Sequence, residues 1–168
     1  TGRRIVSSIG DTIREVTDSL KQGKSGISFI QDYADKGFKS QVAGKPNAMP
    51  EDHVDKRAMR FMGDGAGWCH MSMTQAIADA GLDESIISNP RTGLIVGTGG
   101  PSTRAIVAAA DSTREKGSPR RIGPFAVPKA MSSTASATLS TLFKILGVSY
   151  SISSACTTSL HCVGAATE

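Results

Sequence analysis

Small side chains constrain this chain more than anything else in it: Ala, Gly, Ser and Thr make up 72 of 168 residues, against 8 aromatics. So few bulky groups cannot fill wide gaps. Such a chain closes a core only where backbones approach each other, as in packed α/β layers. Two short runs supply the strands. Gly93-Leu-Ile-Val-Gly97 is continuously apolar, the mark of a buried central strand, and Val148-Ser-Tyr-Ser-Ile152 alternates. Helical stretches separate them, and strands separated by helices pair in parallel. The length suits one domain with a sizeable core.

Capping signals place the remaining elements. Asp11 is positioned to cap a helix carrying Ile13, Val16 and Leu20 on one face and closed by Gly23. Gly26–Ile30 reads as a short strand and Gln31–Pro50 as irregular surface. Helices are expected over Val54–Phe61 and over Trp68–Ala80, the second stopped by Gly81. Pro101 suits the first turn of a helix ending near Gly117. The proline-rich stretch Arg120–Pro128 reads as loop, Ala130–Leu146 as a small-residue helix closed by Gly147, and Thr157 onward as helix.

Composition narrows the setting. Apolar residues are 39% and charged residues 20%, as in a soluble globular chain. The longest apolar run, Ala105–Ala110, is far from a membrane span, and Thr1 opens no basic-then-apolar leader. An odd three cysteines, Cys69, Cys156 and Cys162, favour a reducing, cytoplasmic compartment. The net charge of +4 resides in 104–129, where six basic residues face only Asp111 and Glu115. A local patch on a neutral body suits an acidic partner better than long nucleic acid, or it is a solvated loop. With no initiator methionine and an end at Glu168 inside an expected helix, we expect a piece of something longer.

The chemistry concentrates at Tyr150-Ser-Ile-Ser-Ser-Ala-Cys156-Thr-Thr-Ser. A strand, a tight turn of small residues and a cysteine at a helix start make a nucleophile elbow, which lifts one side chain off the sheet edge. Free amides at the helix start favour a thiolate and can stabilise an oxyanion built on it. The alternative is an inert buried cysteine. His161 fails as its base: five residues along a helix rotate it by about 140° off the face of Cys156. His53 and His70 have no partner pattern and read as structural. Cys156, His161 and Cys162 lack metal-ligand spacing, so no metal is expected. Gly97-Thr-Gly-Gly100 sits where a phosphate loop would, but without the G-x-G-x-x-G or Gly-Lys-Ser/Thr pattern it points to close backbone packing. Thr1 as an N-terminal nucleophile is explained more simply by a chain boundary.

Tyr150–Gly164 closely resembles the active-site segment of the β-ketoacyl-acyl carrier protein synthases, the condensing enzymes of fatty acid synthesis. Ile5–Gly10, Ser25–Ile27, Arg60–Met62, Gln75–Gly81, Gly97–Gly100 and Lys129–Met131 extend the resemblance over the chain. Lys129-Ala-Met131 and Ser153–Cys156 look most like the type I bacterial enzymes, while Gly123–Pro128 has a type II flavour. The resemblance implies an α/β, thiolase-like layered α-β-α fold, with residues 1–168 forming an incomplete first half. It implies that Cys156 takes an acyl chain from acyl carrier protein as a thioester. The family's two catalytic histidines and its lysine belong to the absent half, and those histidines would assist the decarboxylation of malonyl-acyl carrier protein. Met131 and Gly100 become substrate-binding candidates, Met131 across a homodimer interface. Lys56, Arg57, Arg60 and Arg120, with Arg121 less central, become the docking site for the acidic carrier protein. No cofactor, nucleic acid or membrane insertion is implied. Arg4 stands where the family often has glycine.

Two other readings compete with the condensing enzyme. One is a catalytically incomplete interaction half-domain. The other is a cysteine-dependent acyltransferase or hydrolase on a smaller fold with its own base.

Overall fold

Two glycines let the apolar runs lie side by side. A Cβ at Gly93 would stand 2.8 Å from the Val148 carbonyl oxygen, and one at Gly147 2.5 Å from that of Thr92. With those positions bare, β3 (Leu94–Gly97) and β4 (Ser149–Ile152) pair in parallel, with Leu94 opposite Ser149 and Gly97 opposite Ile152. The computed structural model describes residues 1–168.

The two faces of this sheet carry different helices, as the alternation of strand side chains requires. Val96 points to a core with Met62, Ala66, Met71, Ala135 and Leu139, contributed largely by α5 (Asp64–Ala80) and α9 (Thr134–Leu142). Ser151, opposite Val96, donates to the Ser136 hydroxyl of α9 at 2.7 Å on the same side. Gly97 points the other way, onto α10 (Thr158–Thr167). The result is the expected α-β-α layering. Leu139 is 1% exposed, and burial of such a side chain stabilises by about 1.5–3 kcal/mol.

Several local expectations are corrected. Thr12, not Asp11, caps α1 (Ile13–Lys21): its hydroxyl accepts from the Glu15 N–H, and the Glu15 carboxylate accepts from the N–H groups of Asp11 and Thr12. The stretch Gln31–Pro50 is not wholly irregular. It holds α2 (Gln31–Asp35) and β2 (Val42–Gly44), the latter antiparallel to β1 (Ile27–Phe29), and Pro50 opens α3 (Pro50–His53). Val54 is extended, so the helix expected over Val54–Phe61 shrinks to α4 (Lys56–Met59), whose first amides donate to the Asp55 carboxylate. Helix α5 begins four residues before Trp68 and takes in Gly67, which is bare where Pro50 approaches: a Cβ there would lie 2.4 Å from the proline Cβ.

Further on, α6 (Glu84–Ile87) is capped by Asp83, and α7 (Thr103–Lys116) is capped by the Ser102 hydroxyl instead of starting at Pro101. The expected loop 120–128 contains a 3-10 turn at Pro119–Arg121 and runs into α8 (Ala126–Ala130). Pro128 is tolerated there because first-turn amides need no intrahelical acceptor. The helix expected over Ala130–Leu146 is therefore split, and Lys144, at φ 52°, breaks α9 before Gly147 is reached.

Candidate active site

Cys156 sits where β4 leaves the sheet, in a 3-10 turn, Ala155–Thr157, that leads into α10. The preceding residue, Ala155, has φ 45°. A non-glycine residue in this left-handed region costs about 1–2 kcal/mol, so the surrounding bonds must over-determine the turn. They do so with hydroxyls. The Ser154 N–H donates to Thr158 Oγ1 at 2.8 Å, and Thr158 Oγ1 donates to the Ala155 carbonyl at 2.7 Å. Thr157 Oγ1 donates to the Ser154 carbonyl at 2.8 Å and lies 3.0 Å from Ser154 Oγ.

The turn leaves Cys156 exposed, and its N–H has no backbone acceptor. An accessible thiol beside an unengaged amide can attack a carbonyl carbon and then stabilise the resulting oxyanion. The other two cysteines are placed differently. Burial pushes the Cys69 thiol above its ordinary value, and Cys162 is half-buried with its sulfur beneath Gly97. No histidine serves Cys156 as a base. His161 borders a separate hollow with Ile152, Leu160, Gly164, Ala165 and Glu168. His70 stacks on Phe143 at 5.1 Å in α5, and His53 lies exposed at the end of α3. No three His, Cys, Asp or Glu side chains converge as a metal site.

The substrate candidates Gly100 and Met131 share one cavity of about 480 Å³, bordered also by Asp64, Thr98, Arg104 and Lys129. Asp64 and Arg104 form an ion pair at 2.9 Å across it. Cys156 does not line this cavity but stands beside it: a Cβ at Gly99 would lie 3.5 Å from the Ala155 carbonyl oxygen. Met131 also borders a second, largely apolar hollow of about 550 Å³, with Phe61, Pro128, Ala137 and Leu142. Arg57 lies at its rim, so one basic docking candidate and one substrate candidate meet there.

Lys56, Arg57, Arg60 and Arg120 are all exposed, and none is engaged in an ion pair. Phe61, next to Arg60, packs edge-on against Phe125 at 4.9 Å. That contact ties the α4 segment to the segment following Arg120 and Arg121. Sequence reasoning missed Thr158, which is 4% exposed and bonds both sides of the turn. Its only signal was a β-branched hydroxyl two residues after the cysteine.

The sequence matches the family model described as beta-ketoacyl synthase, N-terminal domain, over residues 1–168. It is 48% identical over 168 residues to 3-oxoacyl-[acyl-carrier-protein] synthase 1 of Haemophilus influenzae, covering 100% of this chain and 41% of that protein. It is 50% identical over 169 residues to the protein of the same name from Escherichia coli K12, covering 100% of this chain and 42% of that one. The chain thus spans about two fifths of the length of the curated relatives it matches. Among solved structures, a beta-ketoacyl synthase from Burkholderia phymatum superposes with a TM-score of 0.79 at 20% identity, covering 99% of this chain and 43% of that one. A type II PKS ketosynthase in complex with its acyl-carrier protein superposes with a TM-score of 0.75 at 14% identity, covering 99% and 46%. The layered α-β-α arrangement is therefore the thiolase-like fold of the ketosynthases.

Proposed function

The chain belongs to the beta-ketoacyl synthase family through its N-terminal domain, and on that premise we propose that it is the cysteine-bearing part of a 3-oxoacyl-acyl carrier protein synthase acting in fatty acid elongation. The observation that carries this reading is the exposed Cys156 with a free N–H, on a strained turn at the end of a parallel strand. The Cys156 sulfur attacks the carbonyl carbon of an acyl-carrier thioester. A new S–C bond forms, the carrier's C–S bond breaks, and the carrier leaves as a thiol carrying the proton lost from Cys156. Malonyl-carrier then loses CO2, and the resulting carbanion attacks the acyl carbon. That step expels the Cys156 thiolate, which takes up a proton. The Cys156 N–H supplies one oxyanion donor.

Decarboxylation needs donors that this segment does not place near Cys156, since none of its three histidines reaches it. We assign them to the remainder of a longer protein, of which residues 1–168 form the N-terminal half-domain. Met131 and Gly100 border the acyl-binding space. Lys56, Arg57, Arg60 and Arg120 receive the acidic carrier protein, acyl- or malonyl-loaded. The enzyme works as a cytoplasmic homodimer without a cofactor.

The test uses the full-length protein. Incubation with acyl-carrier protein should add one acyl group, mapped by mass spectrometry to the Cys156 peptide, and malonyl-carrier protein should then discharge it as 3-oxoacyl product. Turnover that survives Cys156→Ala would overturn the assignment.

A further inference from the structure

We propose that Thr158 is a positioning residue for acyl transfer, a role that rests on Cys156 being the nucleophile. Ala155 holds a backbone conformation that L side chains rarely adopt, at φ 45°, and it is this turn that presents Cys156. Left to itself, such a turn relaxes toward the right-handed region and carries the sulfur with it. One buried hydroxyl spans it. Thr158 Oγ1 accepts from the N–H of Ser154, before the strained residue, and donates to the carbonyl of Ala155 itself. Its one donor and one of its two acceptor lone pairs are thus spent on the backbone that sets the direction of the Cys156 side chain.

The other end of the same side chain is fixed by the sheet. Thr158 is 4% exposed, and its methyl group lies where any Cβ at Gly97 would stand, 2.4 Å away. The hydroxyl therefore cannot swing aside: β3 holds the methyl and the methyl fixes the rotamer. Sheet, threonine and turn form one rigid linkage to the sulfur. Thr157 is no substitute. It is exposed, and its hydroxyl reaches only Ser154, on one side of the strained residue.

The experiment compares wild type, Thr158→Val and Thr158→Ser in the full-length protein. Two rates are read at Cys156: single-turnover acylation by a short acyl-N-acetylcysteamine thioester, and alkylation by iodoacetamide. Acylation needs the sulfur aimed along one approach, and a displacement of about 1 Å can cost up to about 100-fold. Alkylation by a small reagent needs little more than access. Thr158→Val should slow acylation about tenfold or more and alkylation less than about threefold, whereas Thr158→Ser, which keeps the hydroxyl but loses the methyl that fixes its rotamer, should recover a large part of the acylation rate. A role in folding alone would move both rates together and would not separate valine from serine.

Should the valine variant fail to fold, Thr158→Ala against Thr158→Ser makes the same comparison, since both lack the methyl and only serine has the hydroxyl. Equal acylation rates with and without the hydroxyl overturn the proposal while leaving Cys156 as nucleophile. Absence of a Cys156 thioester in the wild type overturns the underlying function and this inference with it.

Discussion

Substituting Gly97 by alanine puts one methyl group into a close contact between β3 and α10. The new Cβ would stand 2.4 Å from Thr158 Cγ2 and 2.7 Å from Cys162 Sγ, against the roughly 3.5 Å at which carbon atoms begin to attract. Neither neighbour is a free chain end: both belong to α10, and Thr158 is 4% exposed. The helix must retreat by about 1 Å, or β3 must bend. Overpacking of this kind costs about 1–3 kcal/mol. Because the helix starts at the cysteine turn, the retreat also reaches the sulfur, and we expect acylation of Cys156 to slow by about 10- to 100-fold. Thermal unfolding followed by circular dichroism and single-turnover acylation measure the two effects. Adding Thr158→Ser removes the closest methyl and Cys162→Ala removes the sulfur, so each should recover part of the loss, and a double-mutant cycle reads the coupling. Wild-type acylation and an unchanged thermal midpoint in Gly97→Ala would refute the packing account of this glycine.

Other consequences are independent of that contact. Limited iodoacetamide treatment of the folded protein should label Cys156 before Cys69, whose thiol is raised by burial, and before Cys162; peptide mapping checks the order, and the reverse order removes Cys156 as the reactive thiol. Reversing Lys56, Arg57, Arg60 and Arg120 to Glu should raise the KM for carrier protein with less effect on kcat. The difference should shrink in salt, since exposed charges are screened within about 8 Å at physiological ionic strength, and an unchanged KM would withdraw the docking site. Light scattering should find a dimer at working concentration, with residues 119–131 near the interface; a monodisperse monomer contradicts it.

The parts of the fold that were legible in the sequence are those fixed by local chemistry. Gly81 and Gly117 take left-handed φ of 64° and 61° at the ends of α5 and α7, where glycine alone is at ease. The strand at Leu94–Gly97 announced itself by a continuous apolar run between glycines, and the one at Ser149–Ile152 by its alternation. Errors arose where tertiary contact overrides propensity. The start of α5 lies at Asp64, four residues before the expected Trp68, and takes in Gly65 and Gly67, the latter bare where Pro50 approaches. The three prolines at 119, 124 and 128 suggested uninterrupted loop, yet Pro119 and Pro128 both fall in first turns that need no proline N–H. At the candidate site, the placement of Cys156 was readable because strand, small residues and helix start follow one another in the chain. Thr158 was not: its importance depends on the φ of Ala155 and on Gly97, 61 positions earlier, neither of which the sequence displays.

Acid should loosen this domain through His70 before it does so through any of the stabilised carboxylates. His70 lies in α5 with its ring tilted against Phe143, and its Nδ1 is buried without a partner. Burial holds its pKa below the ordinary 6.5, because the charged ring would lose water and gain no acceptor. The unfolded chain therefore binds this proton at a higher pH than the folded one. The stabilising contribution is complete above about 6.5 and is lost as pH falls through the lower folded value. The carboxylates held low in the fold act further down: Glu15 by the Asp11 N–H, Asp83 by Ser85 and Glu84 by Lys144. Their ordinary values are 4.5, 3.8 and 4.5. Lys144, raised by Glu84 from 10.5, acts only in alkali. Between about pH 5 and 7 the fall in thermal midpoint should thus be carried largely by His70. His70→Gln, which cannot titrate, should flatten that fall while leaving the steeper loss below about pH 4.5 in place. Identical slopes for wild type and His70→Gln between about pH 5 and 7 would show that the buried imidazole is not what acid attacks first.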